Sequence, residues 1–432
     1  MTKKTVLALA AGLAVLGTLP AHAQSSKELE ELRNEIRQLR QELNALKQQK
    51  AAESAKPADS SGWGERIEQV ELKQKDAVVA GDIGGSFRLP GSDTSVRVYG
   101  FAEVHAIHDL QAWSSPDNFT NLQGQPLKSA SPQKGRTKFT AETSRFGFET
   151  ATPTGQGTFS TKLEADFYSY GGGNRNRLRL RHAYGEYAGF LVGQTWSTFM
   201  DLDNLPETVD FNGPIGAPFS RRTMVRYTYG DPKARYKITA ALEDPEDQFG
   251  SGSANERMPQ VVARFDKGFD WGAINVRGLA HEKRSATATK RGFGLGIGAS
   301  FKITDKDLLM GQFARVDGDF DQMYGSNGYS IDSTTGEITF DKNLGLVVGY
   351  AKTFSDQLRG TLAFGMNRAK TAQDIGNRTL RQLHLNMIYS PFKNVELGAE
   401  YVWGQRRLFP DGAGVEDTGT LSRIDLMGRY SF

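Results

Sequence analysis

From Val96 to the end of the chain one rhythm repeats: segments that alternate apolar and polar residues, separated by connectors that are by turns short and long. The short connectors fall at 152–157, 187–189, 229–233, 267–272, 303–307, 353–357 and 390–394. The long ones fall near 109–134, 168–176, 200–220, 244–258, 283–290, 318–340, 369–377 and 406–419. Seven short and eight long connectors join sixteen strands and leave both chain ends on the short-turn side. An even number of antiparallel strands with short turns at one end and long loops at the other is the layout of an outer-membrane β-barrel. The expected fold class is therefore all-β, a 16-stranded antiparallel transmembrane barrel, preceded by an α-helical coiled-coil segment.

The alternation inside each segment supports this reading, because residues i, i+2 and i+4 of a strand share a face. Over 159–168, Phe159, Thr161, Leu163, Ala165 and Phe167 oppose Ser160, Lys162, Glu164, Asp166 and Tyr168. Over 293–303, an apolar series from Phe293 to Ile303 opposes Gly294, Gly296, Gly298, Ser300 and Lys302. In the last strand Ile424, Leu426, Tyr430 and Phe432 oppose Arg423, Asp425, Met427, Arg429 and Ser431. Arg or Lys on a lipid face costs roughly 2–4 kcal/mol at the midplane, so the charged series belongs in a wet lumen. A soluble β-sandwich would alternate similarly but explains neither the connector rhythm nor the aromatic last strand.

The N-terminus reads differently. Lys3 and Lys4, an apolar run from Val6 to Leu19 and Ala21-His22-Ala23 form a signal peptide over 1–23; the run is short for a membrane anchor. Over 24–50, Leu29, Leu32, Ile36, Leu39, Leu43 and Leu46 form an a/d seam. With Leu29 at a, Glu28, Glu35 and Glu42 fall at g and Arg33, Arg40 and Lys47 at e, a pairing that suits parallel helices in register. The seam predicts a homo-oligomer without choosing dimer or trimer; a single docked amphipathic helix is the alternative. A linker over 51–62 and a short helix with connector over 63–94 lead to the barrel, 95–432.

The most pointed charge pattern is "NRNRLRLRHAYGEY", with Arg175, Arg177, Arg179 and Arg181 at every second position. Leu178, Leu180 and Tyr184 are expected on the lipid side, which turns the four arginines inward. Arg145 is expected inward if Phe146 and Phe148 face out, and Arg222 and Arg226 if Val225, Tyr227 and Tyr229 do. Such a field concentrates anions, and a guanidinium fork suits carboxylates. The plainer alternative is a solvated wall in which Glu164 and Asp166 pair with the ladder. The connector 200–220 carries Asp201, Asp203, Glu207 and Asp210 before a Gly/Pro-rich piece. It is expected to fold inward as a constriction loop with its acids facing the arginine wall; an ordinary surface loop is the alternative.

The block "RLRLRHAYGEYAGFLVGQTWSTFMD", 177–201, resembles the corresponding stretch of DcaP-like porins. The order of signal peptide, heptad coil, linker, "VVAGDIGGSFRLPGSD" and barrel resembles that family over essentially the whole mature chain. The resemblance implies a trimeric sixteen-stranded outer-membrane porin with its coil in the periplasm, taking up small anions of the dicarboxylate or aromatic-acid type. It also implies inward arginines at 177, 179 and 181 and a constriction role for 201–220.

The bulk numbers bound the rest. Absent cysteine removes thiolate metal ligands and nucleophiles, and a net charge of +3 gives no reason to expect a nucleic-acid partner. His105 and His108, three apart, face opposite sides of a strand, and no motif pairs a serine with a histidine. No catalytic residue, metal site or cofactor is expected. The expected partners are small anionic solutes, outer-membrane lipid and, as the resemblance implies, two further copies of the chain. A general or sugar-permeable porin, whose coil tethers the membrane to a periplasmic or cell-wall partner, is the rival function.

Overall fold

The computed structural model describes residues 79–432 except 113–117, 132, 169–176, 246–255, 326–327, 371–375 and 411–416, and, before residue 79, only Asn34, Gln38 and Gln41. The chain divides into two units, Met1–Asp76 and Ala77–Phe432. In the first unit the three described residues are helical and exposed. The signal peptide, the seam residues Leu29 to Leu46, the linker and the 63–78 helix lie outside the described residues.

The second unit is a closed antiparallel barrel of sixteen strands. They are β1 Ser95–Ala112; β2, in two pieces, Lys134–Thr140 and Arg145–Thr154; β3 Gly157–Asp166; β4 Arg179–Tyr187; β5 Phe190–Trp196; β6 Arg221–Asp231; β7 Tyr236–Glu243; and β8 Gln260–Phe269. Then follow β9 Gly272–Arg284; β10 Thr289–Thr304; β11 Asp307–Asp317; β12 Lys342–Ser355; β13 Leu358–Lys370; β14 Asn377–Tyr389; β15 Val395–Leu408; and β16 Thr418–Ser431. Each strand pairs with its sequence neighbour. The barrel closes where β16 meets β1, from Arg423 opposite Asp109 to Ser431 opposite Phe101. The terminal Phe432 finishes the seam by exchanging backbone hydrogen bonds with Gly100 at 3.2 and 3.0 Å. The interruption in β2 is bridged by Ser144, whose hydroxyl accepts from Glu103 N at 3.0 Å and donates to Glu103 O. A two-strand hairpin, Val79–Ala80 with Phe87–Arg88, leads into β1, and a second, Tyr329–Ile331 with Ile338–Phe340, decorates the long loop after β11.

The faces follow the two-residue period. Leu163 is half exposed on the outside while Glu164 and Asp166 are buried inside; Phe293, Leu295 and Ile297 are exposed between buried glycines. Aromatic side chains cluster outside near the short turns, including Phe190 against Tyr227 and Trp271 stacked on Phe269. This is the interfacial girdle of a membrane barrel.

Two readings change. Tyr184 faces the lumen, not lipid, because a β-bulge places one extra residue in β4 opposite Glu164 and Ala165. Arg181 and His182 therefore both turn inward, and every residue after them exchanges faces. The inner face is also less polar than its charges suggest. Leu191, Met224, Val262, Leu279 and Val316 form one buried cluster with Phe199, and Leu380, Val402 and Leu421 another with Leu122 and Ile215. Segments folded in from the long loops cover these inner-wall patches and take them out of water.

Candidate functional site

The connector after β5 folds into the barrel. It leaves at Trp196 and is fastened at once to β7, where Glu243 accepts from Ser197 Oγ and Thr198 N at 2.7 Å each. Asp201, fully buried, accepts from Asn204 and from Asn275 of β9 at 2.8 Å. Further on, Glu207 meets Arg359 of β13 through two 2.8 Å bonds, and Glu400 of β15 accepts from the backbone of Val209 and Asp210. The segment returns past Ile215, whose N–H reaches Gln382 of β14 at 3.0 Å, and rejoins the wall at Ser220.

The inner wall has been cleared for this path. A Cβ at Gly298 would overlap Asp201 Oδ2. One at Gly345 would overlap the Gly216 carbonyl, one at Gly349 the Pro206 ring, and one at Gly365 the Ile215 backbone. These glycines on β10, β12 and β13 form the trough in which the loop lies. At these four positions the missing Cβ is what makes room for the loop.

Three of the loop's four acids, Asp201, Asp203 and Glu207, do not face the arginine ladder as expected. Asp201 lies 3.5 Å from Arg264 and 3.8 Å from Arg277, and Asp203 lies 3.2 Å from Arg264. Glu207 pairs with Arg359, while Asp210 accepts from Thr120 and approaches Arg423 at 3.6 Å. All four are moored to β8, β9, β13, β16 or the first long loop and fix the loop; of the four, Asp210 also shares a cavity with the ladder.

What the loop leaves open is a cavity of about 340 Å³ beside β4, lined by Arg145, Arg179, Arg181, Arg221 and Arg429, by the carboxylates Glu103, Asp210 and Asp321, and by Tyr168, Trp196, Phe211 and Tyr324. Its volume equals roughly ten waters. The arginines are held by carboxylates and rings. Arg179 forms a two-bond fork with Asp166; Arg181 donates to Glu164 and Asp166 at 2.7 Å each; Arg145 lies 3.4 Å from Glu164. Arg181 and Arg221 sit over the Trp196 ring, at 5.6 and 4.4 Å from its centroid, and Arg179 over Tyr168 at 4.9 Å. The lining carboxylates have partners of their own: Glu103 binds His105 and Arg429, and Asp321 lies 3.6 Å from Arg222.

The expected arginines thus separate. Arg145, Arg179 and Arg181 meet at the cavity. Arg177 precedes β4 and is exposed, and Arg175 lies outside the described residues. Arg222 is buried against Asp319 and Asp321, where it anchors the loop after β11. Arg226 faces inward between Leu191 and Ala241, away from the cavity. Arg221 and Arg429 were not among the candidates. By strict alternation Arg221 shares a face with Val225 and Tyr227; it turns in only at the strand end, beside Trp196.

The chain matches the model of the DcaP outer membrane protein over residues 68–432. A search of the curated proteins finds none that matches. Among solved structures it is similar to the outer membrane channel DcaP of Acinetobacter baumannii, with 28% identity and a TM-score of 0.71 over 82% of this chain and all of that one. It is similar in fold to OmpT of Vibrio cholerae, at 12% identity and TM-score 0.55 over 82% of this chain and all of that one. It is likewise similar to an anion-selective porin from Comamonas acidovorans, at 13% identity and TM-score 0.54 over 78% of this chain and all of that one. The chain belongs to the DcaP outer membrane protein family: it is an outer-membrane porin, and family and fold point to a channel and not an enzyme.

Proposed function

We propose that this porin prefers small anionic solutes, of the dicarboxylate or aromatic-acid type. The observation that carries the reading is the composition of the cavity left by the infolded loop: five arginines and three carboxylates line it, and Glu164 and Asp166, which hold Arg145, Arg179 and Arg181, lie behind that lining. In a narrow wet passage the lining's surplus of arginines attracts anions. The guanidinium forks suit carboxylates, and Tyr168, Trp196 and Phe211 offer faces to a ring. The Comamonas acidovorans porin of the same fold is anion-selective. The test is the reversal potential in a salt gradient across a planar bilayer. An anion-preferring value supports the proposal, and a cation-preferring one overturns it.

One observation favours the rival reading of a general porin: Glu164 and Asp166 neutralise part of the ladder. Liposome swelling with anionic, neutral and cationic solutes of matched size separates the two, since a general porin ranks them by size alone.

We further propose a homotrimer with a periplasmic coil: the heptad seam of residues 29–46, behind a signal peptide ending at Ala23, supports an oligomer, and the likeness to DcaP porins supports three copies. Deleting residues 25–78 tests this. Loss of the trimer on gels with conductance retained supports an assembly role; an intact trimer that detaches from the envelope supports a tether.

A further inference from the structure

We propose that the lipid-facing wall of β11–β14 carries a binding site for a lipid with a phosphorylated headgroup in the outer leaflet. Lys342 starts β12, Arg368 and Lys370 end β13, and Arg381 lies near the start of β14, so all four sit at the long-loop end of the barrel. In an outer-membrane barrel that end meets the outer leaflet. The four side chains point outward. Lys342 shares its face with exposed Leu344 and Val348, Arg368 and Lys370 with exposed Leu362, and Arg381 with exposed Leu385 and Met387. With Arg315 and Arg378 the first three line a groove of about 470 Å³ whose apolar side is Leu344 and Phe409.

Two further facts point to a ligand. Lys342 and Lys370 are directly opposed across the β12–β13 ladder. Like charges so placed, with Cβ atoms roughly 5 Å apart, repel. Among the described residues, Lys342, Arg368, Lys370 and Arg381 make no ion pair, whereas Arg315 beside them is forked to Asp317. A tetrahedral phosphate between them removes the repulsion and takes up the guanidinium donors. The patch is also local: at the same end of β3 and β4 the outward residues are Phe167, Leu178 and Leu180.

A free anion would satisfy the charge equally well. The surroundings favour a lipid, because the groove opens directly onto the apolar wall of Leu344, Val348, Leu362 and Leu385, where acyl chains lie. Exposed charges hold a mobile anion weakly at physiological salt, whereas a headgroup is held at the surface by its chains.

The test is native mass spectrometry of the full-length protein in detergent with three lipids: a bisphosphorylated glucosamine lipid, the same lipid with its phosphates removed, and phosphatidylethanolamine. The wild-type protein should retain the bisphosphorylated lipid at least about tenfold better than either other lipid. The K342Q/R368Q/K370Q variant should lose that preference, while R368K keeps it. Conductance of the triple variant should be unchanged, because these residues face away from the lumen; that measurement also shows that the barrel has folded. Equal retention by the triple variant, or equal retention of the dephosphorylated lipid, overturns the proposal. So does displacement of the bound lipid by millimolar inorganic phosphate, which would mark a site for free anions. If the triple variant does not fold, K370Q alone, at the strand end, gives the same reading with a smaller loss; no loss in K370Q then overturns it.

Discussion

Asp166 accepts two hydrogen bonds from Arg179, from Nε at 2.9 Å and from Nη2 at 2.7 Å, and the same carboxylate takes a third from Arg181. The ladder is therefore both the source of the positive field and a partly neutralised structure. Removing the neutralising charge should strengthen selection. In Asp166→Asn the reversal potential should move further toward anions, and in R179Q/R181Q toward cations. One unit charge at ~4 Å in water is about 1 kcal/mol, so the permeability ratio should change about fivefold. Planar-bilayer recordings in a salt gradient read both; an unchanged ratio in R179Q/R181Q retires these residues as determinants.

The moorings of the infolded loop should differ in weight according to burial. Asp201 is fully buried among Asn204, Asn275, Arg264 and Arg277. Asp201→Asn turns an amide toward donors that need an acceptor and leaves Arg277 in a dry site, a change that costs about 3 kcal/mol in comparable buried pairs. Glu207 is almost half exposed, and its pair with Arg359 is screened by water, so Glu207→Gln should cost about 0–1 kcal/mol. Thermal unfolding of the detergent-solubilised barrel should show a clear drop for D201N and little for E207Q. Equal drops would show that the two anchors are not distinguished by burial.

The glycine trough makes a steric prediction. Gly345→Ala drives a methyl group into the Gly216 carbonyl, so one of the two backbones must shift. Overpacking of this kind costs roughly 1–3 kcal/mol. The strain is relieved if the segment 213–217 lifts off β12, which widens the passage. G345A should therefore lower thermal stability and raise single-channel conductance; Gly84→Ala, in open space before the barrel, serves as the silent control. Unchanged conductance in a destabilised G345A would mean that the loop stays seated.

These three predictions rest on features of unequal visibility in the sequence. The sixteen strands were legible because lipid on one side and water on the other impose a period of two, and Leu163 against Glu164 carries that signal without tertiary help. The inward fold of 200–220 was legible only as a possibility suggested by its position and composition. The partners of its acids were not, because Arg264, Arg359 and Arg423 lie some 60 to 210 residues away and alternation gives a face, not a neighbour. Tyr184 was misplaced because one bulge residue reverses parity and leaves no mark in the sequence. Arg221 was missed for a related reason: it breaks alternation at a strand end, where Trp196 draws it over its ring.

Acid should release the long loop after β11 only late. Asp319 in that loop is fully buried, which alone would push its carboxyl up. The Arg222 guanidinium, with His281 and Lys283, more than offsets this and holds it below the ordinary carboxylate range. Gln260 and the N–H groups of Asp321 and Gln322 bond the same carboxylate. A carboxyl whose folded value is depressed binds more protons unfolded than folded, so its stabilisation is complete above the ordinary value near 3.8 and fades as pH falls toward the folded value. The stability difference between wild type and Asp319→Asn should accordingly be the same at pH 7 and pH 5, and should shrink at pH 3. Thermal unfolding of both proteins at the three pH values measures it. A difference already gone at pH 5 would mean that Arg222 does not hold the carboxylate ionised.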